Sequence, residues 1–493
     1  MFNNKYLVGL MAIMLLASSC KKEFLDTSST TAVAAEDAIS TTQNAYAALN
    51  GIHRIMYTQY DNQPQGGAGA IGIIRDLMGE DEIYTRPNGR LDFVGHVRYI
   101  DHRNVNSGNT RFVYRFYYRI IANANILINN VDNAEGPQTD KAIIKGQALV
   151  YRAWAHFELV QYWGERFNAG SANDGLGVPL LLTATLEPQA RATVAEVYTQ
   201  VNKDLDAAIP LLAGYVRTGS AAKSNFNQRI AQGIKARVAL AQQNWDLAAT
   251  MAASARTGFS LMSNAQYTSG FNDTNNPEWL WGSDQIADHN TFFWSFFASM
   301  GANFNGSNVR TQPKAINSAL YNAIPATDIR KSMWDLTGAN VPIPPGGAKI
   351  PYQNKKFLAE SGGSSIGDVP YMRAAEMYLI EAEARARKGE DGPAQDALFT
   401  LVKNRNAAYV KSTNTGQALI DEIMFHRRIE LWGEGFRWFD LKRTNSPLNR
   451  NLAPNTVPAI SVEMLVPAGD KLWLWLFPQD EINANKTIVQ NPL

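Results

Sequence analysis

The sequence predicts a mainly α-helical protein in which stacked helical hairpins of the tetratricopeptide kind carry a loop-rich face. Three observations lead there. Apolar residues recur at helical spacing through long segments across the chain. Ala-rich helices come in pairs broken by short polar turns, as in helical repeat arrays. Two long irregular stretches, 59–110 and 264–369, interrupt the pairs and hold much of the Gly, Asn and Pro.

Taken in order, residues 44–56 read as the first helix and 111–131 as the second, rich in aromatics and Ile. Residues 141–163 follow, with Ala148, Ala153 and Ala155 allowing close helix approach. A capping-box pattern, Thr193 with Glu196, opens a helix over 193–212. Residues 231–241 and 245–255 form one hairpin, broken at Gln243 and Asn244. Residues 371–387 and 393–406 form another, broken around Gly389 and Gly392. In the first helix of that pair Ala375, Tyr378, Leu379 and Ala382 share a face. The last long helix covers 417–432, with Ile420, Ile423, Met424 and Leu431 in phase. The repeat is degenerate and fits no strict period. Loops as long as those between the helices are usually functional or poorly ordered.

Composition sets the function classes that remain. Of 493 residues, 45% are hydrophobic and 18% charged, a globular balance. Lys plus Arg is 46 and Asp plus Glu is 45, so there is no whole-chain basic footprint for nucleic acid. The single cysteine excludes an intrachain disulfide and a thiolate zinc cluster. It also has a specific setting. Lys5 supplies a positive start, residues 6–17 form an apolar run too short to span a bilayer, and Ser18 and Ser19 lead into Cys20. The pattern is similar to a lipoprotein signal over residues 1–19, with Cys20 lipidated and residues 20–35 as a polar tether. Ala17 stands where a leucine is usual. Domain limits are expected at 36–260 and 261–493, within one compact fold.

Several motifs match and carry little. Gly67-Ala68-Gly69-Ala70-Ile71-Gly72 fits GxGxxG, but a polar, proline-broken segment precedes it where a dinucleotide site needs a buried strand; it reads as a flexible loop. Gly363-Ser364-Ser365-Ile366-Gly367 fits GxSxG without a strand before it, and also reads as a loop. His96, Asp101 and His102 are expected to be surface groups of a polar loop rather than a metal set. Glu80, Asp81 and Glu82 read as a solvated turn or a local cation site. The segment from Arg427 to Arg443 interleaves cations and carboxylates with Trp432, Phe436, Trp438 and Phe439, and is expected to lock the scaffold through Arg–carboxylate pairs. No catalytic constellation, cofactor motif or metal-ligand set emerges.

The whole chain resembles the SusD/RagB family of outer-membrane nutrient-uptake lipoproteins. The likeness runs through Cys20, residues 146–163 (GQALVYRAWAHFELVQYW), Val178-Pro179-Leu180, residues 191–212, and Asp328-Ile329-Arg330. It continues in residues 371–387 (YMRAAEMYLIEAEARAR) and 427–443 (RRIELWGEGFRWFDLKR), then Phe477-Pro478-Gln479-Asp480-Glu481-Ile482 and Gln490-Asn491-Pro492. Leu493 follows where the family often has Gly and an aromatic. The resemblance implies tetratricopeptide-like helical pairs under a ligand face. It implies an acylated, surface-facing outer-membrane lipoprotein that passes oligosaccharide to a SusC-like TonB-dependent barrel without chemistry. Alternatives are peptide uptake, a protein-interaction scaffold and, last, a glycoside hydrolase.

Sugars need aromatic platforms with amide, guanidinium or carboxylate groups beside them. Two irregular stretches offer that mixture. Residues 84–99 carry Tyr84, Arg86, Asn88, Arg90, Asp92, Phe93 and Tyr99. Residues 292–304 carry Phe292, Phe293, Trp294, Phe296, Phe297 and Phe304, with Asn303 and Asn305 nearby; this run can equally be packing. The candidate ligand-binding residues are Tyr84, Arg86, Asn88, Phe93, Tyr99, Phe292 and Trp294.

Overall fold

The computed structural model describes residues 38–185, 187–286, 293 and 295–493. Cys20, the signal-like segment and the tether lie outside the described residues, as do Phe292 and Trp294.

The long helices form where the spacing places them, and side-chain caps fix several starts. Helix α1 (Thr42–Ile55) begins at Thr41, whose hydroxyl accepts from Asn44 N. Helix α2 (Gly67–Leu77) and the short strand β1 (Glu82–Tyr84) precede α3 (Gly108–Asn130), which Ser107 caps. Helix α4 (Gln138–Trp163) is buried on nearly every side over its second half. Strands β2 (Leu176–Pro179) and β3 (Arg191–Thr193) pair antiparallel and lead into α5 (Val194–Leu211), where the Thr193–Glu196 capping box is present in full. Then come α6 (Gln228–Ala241) and α7 (Trp245–Ala255), the latter opened by Asn244 accepting from Leu247 N.

Strand β4 (Trp279–Ser283) follows, then two short helices, α8 (Phe296–Met300) and α9 (Ser307–Thr311). Strands β5 (Lys314–Ile316), β6 (Trp334–Asp335), β7 (Gln353–Asn354) and β8 (Val369–Arg373) complete the loop layer. The order β1-β5-β7-β6 makes one small sheet, and β4 pairs with β8. Helices α10 (Ala374–Lys388), α11 (Asp391–Arg405), α12 (Gly416–Glu430), α13 (Arg437–Arg443) and α14 (Gln479–Ala484) close the chain. Gly389, at φ 86°, ends α10 in the left-handed conformation that glycine tolerates.

Consecutive helices stack into an array. Helix α3 packs on α4, α4 on α5, α5 on α6, α6 on α7, α7 on α10, and α10 on α11 and α12. One apolar cluster runs from Ile39 to Phe477 and takes in Trp154, Trp163, Trp281, Trp438 and Trp475. A smaller one lies among α10, α11 and α12 around Leu379, Leu398 and Ile423.

Between the array and the loop layer sits a buried charge network. Arg330, Arg373, Arg405 and Lys356 meet Asp328, Glu278, Glu430 and Glu434. Arg405 Nη2 lies 2.6 Å from Glu278 and 3.1 Å from Glu430, and Lys356 Nζ lies 2.7 Å from Glu434. Cations and carboxylates balance one for one, which is the condition for burying them. His426 Nδ1 accepts from Arg330 Nη2 at 2.9 Å, and burial holds that imidazole well below its usual pKa, hence neutral.

The Arg427–Arg443 segment forms the pairs its composition suggests. Asp440 takes Arg427 Nε at 2.7 Å and Arg443 Nε at 2.8 Å, while Arg443 also grips Glu383. Arg428 and Arg437 reach back to Asp81 and Glu80. This corrects the reading of Glu80, Asp81 and Glu82 as a solvated turn: all three are buried, two of them neutralised by guanidinium groups from α12 and α13.

Two further expectations are corrected. Gly67 to Gly72 is the start of α2, not a loop; burial of its small residues lets Gly435 approach so closely that a Cβ there would stand 2.8 Å from Gly72 Cα. His96 and His102 are not surface groups. Both are fully buried, stacked with ring centroids 6.2 Å apart beside Trp475. Among the described residues no cluster of His, Cys, Asp and Glu is arranged to hold a metal ion. Residues 363–367 lie in a turn held by the Ser361–Ser364 bridge, as a loop reading requires.

Candidate ligand-binding face

The site is built on the pairing of β1 with β5, which sets Glu82 opposite Ile316 and Tyr84 opposite Lys314. That register brings the loop after β1 against α9. Arg86 N donates to Gln312 Oε1 at 3.1 Å, and Gln312 Nε2 returns a bond to Arg86 O at 2.6 Å. Arg90 N donates to Thr311 Oγ1 at 3.0 Å. The loop is therefore pinned along its backbone, while its tip, Arg86-Pro87-Asn88, is exposed. Among the described residues neither the Arg86 guanidinium nor the Asn88 amide is tied by a hydrogen bond or ion pair.

Arg90 is the hub. Its Nε donates to both oxygens of Asp92 at 3.0 Å, Nη1 to Ser307 Oγ at 3.3 Å, and Nη2 to Gln63 Oε1 at 3.2 Å. Asp92 in turn accepts from Asn308 Nδ2 at 2.7 Å. One guanidinium thus ties the 59–66 loop, the 85–92 loop and α9 into one rim. Beneath it Lys314 Nζ donates to Ser299 O at 2.6 Å and lies over the Tyr84 ring. Burial brings this amine down to about 8, opposed by nearby Glu82. Both Glu82 oxygens are buried without a hydrogen bond, and burial together with Asp76 holds that carboxyl well above the usual range. Asp76 itself is pushed up to about 7, mainly by burial, although it accepts from Gly435 N at 2.6 Å.

The rim continues beyond α9. Arg310 Nη2 donates to Pro345 O at 3.0 Å, fastening the Pro-rich loop. Asn305 N donates to Gly362 O at 2.9 Å, and Ser295 Oγ to Ser365 O at 2.7 Å.

The chosen aromatics divide sharply. Tyr84, Phe93 and Tyr99 are 2–3% exposed and offer no face to a solvent-borne ring, so a platform role for them is withdrawn. Tyr84 donates to Asp92 O at 2.7 Å and Tyr99 to Met78 O at 2.8 Å; both hydroxyls are consumed in holding the loop. Phe93 sits at φ 60°, a left-handed turn that drives its ring inward. In the second stretch Phe296, Phe297 and Phe304 are buried, with Phe296 edge-on to Phe357 at 4.9 Å. Phe293 is 49% exposed. The polar members Arg86 and Asn88 thus stay at the surface, and the described aromatics around them mostly serve as foundation. Gln63, Thr311 and Gln312 went unforeseen, because nothing in the sequence announces a pairing between three-residue strands 230 positions apart.

Known proteins bear the same architecture. Residues 23–240 match a family model described as starch-binding associating with outer membrane, and residues 260–493 match the SusD family model. A curated SusD-like protein of Formosa agariphila is 25% identical over 378 residues, 66% of this chain and 68% of that one. A solved SusD-like carbohydrate binding protein from Bacteroides vulgatus is 26% identical, with TM-score 0.79 over 91% of this chain and 97% of that one. A SusD superfamily protein from Bacteroides thetaiotaomicron superposes with TM-score 0.77 at 23% identity, covering 92% and 100% of the two chains.

Proposed function

The chain belongs to the SusD family, and from that premise we propose that it binds oligosaccharide on the loop face and acts without catalysis. The observation that carries the proposal is the Arg86–Asn88 tip: an exposed guanidinium and amide on a backbone pinned by Gln312 and Thr311. A backbone already held in place leaves only the two side chains to be ordered on meeting hydroxyl groups, which limits the entropy lost in a shallow sugar site. The carbohydrate-binding relative from Bacteroides vulgatus supports the ligand class. Phe292 and Trp294, which flank exposed Phe293 in the sequence, are kept as proposed stacking residues on their aromatic chemistry alone.

The finer reading is a lipid-anchored outer-membrane protein, held by Cys20 and facing outward. It hands glycan to a SusC-like TonB-dependent barrel. The family description and the Cys20 signal pattern support it. No helix among the described residues is long and apolar enough to cross a membrane. A glycan array probed with the chain from residue 21 onward tests the binding; the same glycans should yield no new reducing ends. An array with no glycan bound sinks the reading. New reducing ends would instead make it a hydrolase.

A further inference from the structure

A second groove lies on the helical side of the molecule, and we propose that it is an accessory subsite for a neutral glycan chain that extends from the loop face. The inference rests on the glycan reading above. The groove encloses about 390 Å³ between α3, the loop after β2 and α14. That volume suits a small ligand or a few sugar rings.

Its chemistry is that of a saccharide site. Tyr118 is half-buried on one wall, with Tyr114 behind it at 4.6 Å between ring centroids. Pro188 and Pro478 add apolar walls. Arg111 and Arg115 supply donors, and Asp480 and Glu481 supply acceptors. The walls are rigid: Tyr118 donates to Pro179 O at 2.8 Å, and Asn485 Nδ2 to Gln189 O at 2.8 Å. Carboxylates stand beside the guanidinium groups, so a uronate or sulfated sugar would meet repulsion as well as attraction, whereas neutral hydroxyls serve both.

Continuity with the loop face is the second observation. Asp61 belongs to the 59–66 loop that Arg90 ties to the rim through Gln63. Arg111 lies 3.7 Å from Asp61 and 3.3 Å from Asp480, and Arg115 lies 3.9 Å and 3.1 Å from the same two carboxylates. This four-charge bridge is a third to a half exposed and leads directly from the loop rim to the mouth of the groove. A chain leaving the 59–66 loop along it meets Asp61, Arg111, Arg115 and Asp480.

The test is a length series. Trimers and octamers of α-glucan, β-glucan, xylan, mannan and galactan are titrated against the chain from residue 21 onward. Wild-type protein should bind octamers of its preferred series tenfold or more tightly than trimers. Tyr118→Ala and the surface variant Arg115→Ala should bring the octamer back towards the trimer's affinity and leave the trimer unchanged. If no series binds at either length, the glycan reading falls and this subsite with it. If a series binds and both folded variants keep the wild-type length dependence, the subsite is wrong and the loop face stands. If both variants bind octamers normally but lose a copurifying outer-membrane barrel, the groove is a protein contact and the proposal is overturned.

Discussion

Arg373, at the end of β8, grips Glu434 with two parallel bonds, Nε to Oε2 at 2.8 Å and Nη2 to Oε1 at 2.6 Å. The two residues come from the loop layer and from the turn between α12 and α13, so this fork joins the layer to the array. Arg373 Nη1 also meets Glu278 and Glu430, which ties the fork into the wider buried network.

That network should be unforgiving. Glu430 faces Arg330, Arg373 and Arg405, which hold its carboxyl far below the usual range against the cost of burial. Glu430→Gln leaves an excess buried cation. Removing one partner of a buried pair costs about 3–5 kcal/mol. Calorimetry or denaturant unfolding should show a loss of that order, and a variant as stable as wild type would mean the charges are already relaxed by solvent.

Glu82 sets a pH dependence. Its folded pKa is raised above the value it has in the unfolded chain, by burial first and then by Asp76. As pH climbs past the ordinary glutamate range, the unfolded chain releases this proton and the folded one keeps it. The folded state is therefore penalised progressively as pH rises. Glu82→Gln removes the titration while keeping the shape. The melting temperature of the variant relative to wild type should increase between pH 5 and pH 8. Parallel profiles would show that Glu82 is not protonated in the fold.

The loop tip and its foundation should separate in a binding assay. Arg86→Ala and Asn88→Ala should each weaken glycan binding by about 1–2 kcal/mol, roughly tenfold, with melting unchanged. Tyr84→Phe should do the converse. It loses the bond to Asp92 O and about 1 kcal/mol of stability, with affinity little altered. Tip variants with wild-type affinity would move the site off this loop.

Anchoring is tested at Cys20. Two or three acyl chains hold stably where one holds only marginally. Cys20→Ala should therefore leave the membrane fraction or accumulate as precursor. A processed variant that still needs detergent for release from the outer membrane would refute the lipid anchor.

Much of this fold was legible because helices are local. The capping box at Thr193 announces the start of α5 to the residue, and residues 245–255 match α7 at both ends. Helix α2 escaped because its glycines read as a breaker; only the tertiary approach of Phe296 explains a small residue at Gly69, and the contact with Gly72 explains the glycine at 435. The acidic triplet escaped for a related reason, since its cations lie about 350 positions away, Arg428 from Asp81 by 347. At the site, the composition of 84–99 was right in kind. Which side chains faced water depended on the positive φ of Phe93 and on a β1–β5 register that no single stretch encodes.

The aromatic centre of the array carries a consequence for biosynthesis. Trp163 Nε1 donates to Leu476 O, 313 positions further along, and Trp475 N donates to Tyr162 O. Asn491 Nδ2 then closes over both, bonding Trp163 O at 2.8 Å and Trp475 O at 2.7 Å. A ribosome emits α4 long before the residues that seal it. During that interval Tyr162 and Trp163 have no lid, and the early helices are sticky and incomplete. Translation order and folding order thus run against each other. The aromatic centre of the array is therefore completed only after residues 475–491 have been made.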